Sequence, residues 1–106
     1  MPTVLNAGTY RDGGSIFATV AAATQTLSFF LQTNHWDHPR DAGHENLFIS
    51  KGDRPEATET KLTIGSTEER QWLAFLITAD PSGLDLWAAE LFQTMLKVLQ
   101  ARHPAS

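Results

Sequence analysis

The stretch Ser15-Ile16-Phe17-Ala18-Thr19-Val20-Ala21-Ala22-Ala23-Thr24-Gln25-Thr26-Leu27-Ser28-Phe29-Phe30-Leu31-Gln32-Thr33 decides the fold. Read with a period of two, Ile16, Ala18 and Val20 share one face of a first strand, and Leu27, Phe29 and Leu31 share one face of a second. Read with a helical period, Ile16, Val20, Ala23, Leu27, Phe30 and Leu31 form a stripe, and the three alanines at its centre favour a helix. The many Thr, Val, Ile and Phe residues lose rotamer freedom in a helix. Two strands, 15–21 and 26–33, are therefore expected, with one long helix over 15–33 as the alternative.

The flanking sequence supports strands. Thr3–Tyr10 is a weak strand candidate, and Arg11-Asp12-Gly13-Gly14 after it has turn chemistry. Asn46–Ser50 places Leu47 and Ile49 on one side, and Thr60–Ile64 does the same with Leu62 and Ile64. From residue 66 the chain turns Leu-, Ala- and Glu-rich. Ser66-Thr67-Glu68-Glu69 has capping-box form and predicts a helix over 67–78. Asp80-Pro81-Ser82-Gly83 ends it; Asp80 suits an N-cap and Pro81 a first helical position, so a second helix is expected over about 82–102. Strands followed by helices imply an α+β fold. The expectation is a small antiparallel sheet of four to five strands within 3–65, with both helices on one face.

Length sets the scale: the chain has 106 residues, which suits one domain over 1–106. Eight Lys and Arg against twelve Asp and Glu give a formal charge of −4. That balance argues against a nucleic-acid binder, which needs a basic face to displace counterions. Lys51, Arg54 and Lys61 are the nearest thing to such a face, and Asp53, Glu56 and Glu59 dilute them. Cysteine is absent, so disulfides, thiolate zinc sites and cysteine nucleophiles are excluded, which fits a cytoplasmic protein. The first eight residues show no basic region followed by an apolar run, so no signal peptide is expected. The longest apolar stretch, 16–31, is broken by Thr, Gln and Ser, so no membrane span is expected either.

The densest chemistry lies in His35-Trp36-Asp37-His38-Pro39-Arg40-Asp41-Ala42-Gly43-His44-Glu45. His35, His38 and His44, completed by Asp37, Asp41 or Glu45, have the donor types for a divalent transition metal such as zinc. Turn residues also abound there, so a solvated connection is the plainer expectation, and no cofactor is assigned. No nucleophile elbow, phosphate-binding loop or dinucleotide fingerprint occurs. Ser66 is explained by capping, and Glu68 and Glu69 by the helix dipole.

The last helix carries more apolar surface than a small sheet obviously needs. Leu84, Trp87, Ala88, Leu91, Phe92, Met95, Leu96, Val98 and Leu99 fill an arc of roughly 180°, against ~100° for a typical surface helix. Either a neighbouring helix covers the excess or a second chain does. The expectation is a non-enzymatic interaction module that self-associates as a homodimer through this helix, or docks another protein. Trp87, Leu91 and Met95 are the candidate interface residues, with Trp36 in the loop either a lid folded back on the core or an exposed interface anchor. The alternative is a small metal-binding protein or metal-dependent enzyme built on loop 35–45.

Overall fold

The computed structural model describes residues 1–9, 15–32, 46–52 and 60–104. These form strands β1 (Thr3–Thr9), β2 (Ser15–Ala21), β3 (Thr26–Gln32), β4 (Asn46–Lys51) and β5 (Thr60–Lys61), followed by helices α1 (Thr67–Thr78) and α2 (Leu86–Arg102). The strands pair antiparallel in the order β1-β2-β3-β4-β5. The fold is α+β as expected, and the long helix over 15–33 does not form. Period two prevails there because pairing with both β1 and β4 gives each apolar side chain of β2 and β3 a neighbour on the same face.

Register explains the core. Val4, Val20 and Leu27 lie in one cross-strand row, Ala7, Ala18, Phe29 and Ile49 in the next, and Ile16, Leu31 and Leu47 in a third. All ten are buried. The small residues Ala7 and Ala18 flank the large Phe29, so the row is filled unevenly. α1 fits over Phe29: its ring centroid lies 5.6 Å from Trp72 and 6.0 Å from Phe75. α2 packs on β1 and β2 and beside α1. Burying a side chain such as Phe29 stabilises the fold by about 1.5–3 kcal/mol relative to exposure.

The opposite sheet face has its own order. Gly8, Phe17, Phe30, Phe48 and Lys61 stand in register across all five strands. The glycine accommodates a close approach: a Cβ at position 8 would lie 2.9 Å from Cε1 of Phe17, so that ring would have to shift.

Element ends follow local chemistry. α1 begins where expected: the Glu69 N–H donates to Oγ of Ser66 over 3.1 Å. α2 begins later than expected. Its N-cap is Asp85, whose Oδ1 accepts from the Ala88 N–H at 2.8 Å. Asp80 instead folds an Asx turn, accepting from the Ser82 N–H at 2.9 Å, and Pro81 accepts from the Leu84 N–H at 3.0 Å. Ser82 and Gly83 are poor helix formers, so a turn prevails over four residues until a second aspartate offers a cap. β5 is also shorter than the expected 60–64. After the Leu62 N–H donates to the Leu47 carbonyl, the chain leaves the sheet through a turn in which Gly65 adopts φ +76°.

The helix connection is tied to the N-terminal strand. The Val4 N–H donates to the Asp80 carbonyl at 2.9 Å, and the Asp80 N–H donates to the Pro2 carbonyl at 2.8 Å. Among the described residues, no helix is long and apolar enough to cross a membrane.

Candidate functional site

The surface where α2 meets β1 is the first candidate. The apolar arc of α2 is mostly consumed within the chain: Ala88, Phe92, Met95, Leu96 and Leu99 are buried, and Leu84, Leu91 and Val98 pack against that core. Within the chain α2 packs on β1, β2 and α1. Met95, an expected interface residue, is entirely enclosed and belongs to the core. Leu91 is half-buried against it.

What remains open is the first turn of α2. Leu86 is 76% exposed and Trp87 58% exposed. Strand β1, on which α2 packs, carries the irregularity between Val4 and Asn6 that turns out Leu5, 55% exposed. The Trp87 ring reaches the strand, with Cζ3 3.8 Å from the position a Cβ would take on Gly8. β1 is also an edge strand; among the described residues, the bridge between Thr3 and Asp80 is what meets its outer side. Large apolar side chains beside a sheet edge are the features that association surfaces use.

A buried ionic cluster is the second feature. Glu69 lies on the buried stripe of α1 with Leu73 and Leu76 and is fully enclosed. Its Oε1 is 2.8 Å from Nε2 of His103 and 3.2 Å from Nε of Arg102, both at the end of α2. The Gly65 N–H also donates to it at 3.3 Å. The reaching-back arm of the capping box thus ends on Gly65, one residue before the cap, while the same oxygen joins the two helices. With all three side chains nearly enclosed, the cluster ties the start of α1 to the end of α2.

From the sequence, Glu69 was explained by the capping box and the helix dipole, and its link to Arg102 and His103 was not foreseen. The missed signal is spacing. Residues 69, 73 and 76 make an i, i+4, i+7 stripe, and a carboxyl in an apolar stripe requires a partner.

The third feature is a cleft of about 610 Å³ between α1 and strands β3 to β5, lined by Leu27, Ile49, Leu62 and Trp72 with polar residues around them.

The candidate metal ligands His35, Asp37, His38, Asp41, His44 and Glu45, and the loop residue Trp36, lie outside the described residues. Among the described residues no group of three or more His, Asp or Glu side chains is placed to hold a metal ion. Compared with known proteins, the chain matches no family model, no curated protein and no solved structure.

Proposed function

We propose that this chain is a non-enzymatic interaction module, working in the cytoplasm, that pairs with a second copy of itself through the start of α2 and the β1 edge. The observation that carries this reading is the exposure of Trp87 next to Leu86, on a helix whose other large apolar residues the chain covers itself. Tryptophan contributes disproportionately to interfaces because it buries a large rigid area at low entropic cost. A twofold pairing brings the same patch together from both partners, so a compact patch on one edge suffices. The absence of cysteine suits a reducing compartment.

Light scattering on a size-exclusion column tests the proposal. At micromolar concentration the expected mass is twice the chain mass of 11.7 kDa. Leu86→Lys places a charge in the patch without touching the core and is expected to return the protein to a single-chain mass. A single-chain mass for the natural sequence at every concentration would overturn the proposal, as would a dimer indifferent to Leu86→Lys.

A further inference from the structure

The cleft beside α1 points to a second, separate role. We propose that it binds a small amphipathic molecule with an apolar body and one negative charge, of the medium-chain carboxylate type.

Its floor is apolar. Leu27, Ile49 and Leu62 are core residues whose outer surfaces form the wall, and Trp72 closes it from α1. The volume, about 610 Å³, falls within the range of small-molecule sites. Thr60 and Gln25 add polar side chains at the rim.

The position of Lys51 sets the charge preference. Along β4 the alternation Leu47, Ile49, Lys51 keeps one face, and Lys51 pairs in register with the buried Leu27. A lysine therefore stands where the inward row would continue with an apolar residue. Its stem extends the floor while its ammonium stays in water at the mouth. Among the described residues Lys51 forms no ion pair.

The strand end that carries it is held firmly. Gly52, at φ +95°, donates its N–H to the Thr26 carbonyl at 2.8 Å, and its carbonyl accepts from Oγ of Ser28 at 2.7 Å. The lysine is thus presented on a fixed backbone. Glu68 also lines the cleft, from the first turn of α1, where the positive helix end favours an acid. Its carboxylate disfavours a ligand with more than one negative charge.

Sodium octanoate below its micelle concentration is the probe, followed by amide chemical shifts of the labelled full chain. Saturable shifts centred on Leu27, Ile49, Thr60, Leu62 and Trp72 are expected. Lys51→Met should weaken binding about tenfold, the size of one charge-assisted contact. Octan-1-ol and octylamine should bind more weakly than octanoate. Thr60→Trp, which fills the cleft from an exposed position, should abolish the shifts, and Lys51→Met carries the test if that variant does not fold. Absent or scattered shifts, equal binding by octylamine, or indifference to Lys51→Met would overturn the proposal. Leu86→Lys should leave octanoate binding intact, which separates this site from the association surface.

Discussion

Oε1 of Glu69 lies 2.8 Å from Nε2 of His103, joining the first turn of α1 to the end of α2 across 34 residues of sequence. The same oxygen is 3.2 Å from Nε of Arg102. One carboxyl oxygen therefore closes the helical layer at the point where its two ends meet. Removing one side of a buried ion pair costs about 3–5 kcal/mol. Glu69→Ala should lose stability on that scale in urea denaturation. A double-mutant cycle with His103→Ala should show a coupling of about 0.5–3 kcal/mol, because the two groups touch. Additive losses would remove the tie from the account.

The two aspartates before α2 have different duties, and mutation should separate them. Asp85→Ala removes a helix cap and should cost about 1 kcal/mol. Asp80→Ala removes only the Asx turn to Ser82 and should cost less. Thermal melts of both variants check the order. A larger loss at Asp80 would return the helix start to that residue.

Asp80 also responds to acid. Hydrogen bonds from the backbone and side chain of Ser82 hold its carboxyl below its ordinary pKa. A group lowered by folding adds stability that is complete above its unfolded pKa, about 3.9 for aspartate, and is lost as pH falls through the lower folded value. The natural protein should therefore lose slightly more melting temperature than Asp80→Asn when acidified across that window. The two curves running parallel would contradict the assignment.

At Gly8 the strand makes room for an aromatic ring. A Cβ there would meet Cε1 of Phe17 at 2.9 Å, so the ring or the strand must shift to admit it. Gly8→Ala should destabilise by about 1–3 kcal/mol, the usual cost of overpacking. Phe17→Leu in the same chain should recover part of the loss, and equilibrium unfolding of the single and double variants measures it.

Phe29 anchors α1 to the sheet through Trp72 and Phe75. Phe29→Ala should cost about 3–5 kcal/mol, the range for a truncated buried aromatic. A loss under about 1 kcal/mol in chemical denaturation would mean that the aromatic cluster is not the seat of the core.

Much of this architecture was legible along the chain. Alternation identified the inward residues of β2, β3 and β4, and the capping pattern at Ser66 located α1, because those signals depend only on near neighbours. The breadth of the α2 apolar arc was legible too, but not its owner. Met95 and Trp87 share that arc, yet one is fully enclosed and the other is more than half exposed at the β1 edge. Which residue is covered depends on how α2 is set against β1, β2 and α1, and no helical wheel contains that information. Glu69 was visible as a helix-start acid and not as the tie between helices.

The order of residues by itself determined the α+β class, the strand faces, the first helix with its cap, and the exclusion of cysteine chemistry. Period and capping are local, and a few successive side chains suffice to set them. Only the tertiary structure decided that Asp85 rather than Asp80 starts α2, that Glu69 meets Arg102 and His103, and that Lys51 continues an inward row above an open cleft. Those outcomes require distant segments to compete for the same buried space. Their energies arise from desolvation and packing among residues far apart in the chain, where sequence spacing carries no distance.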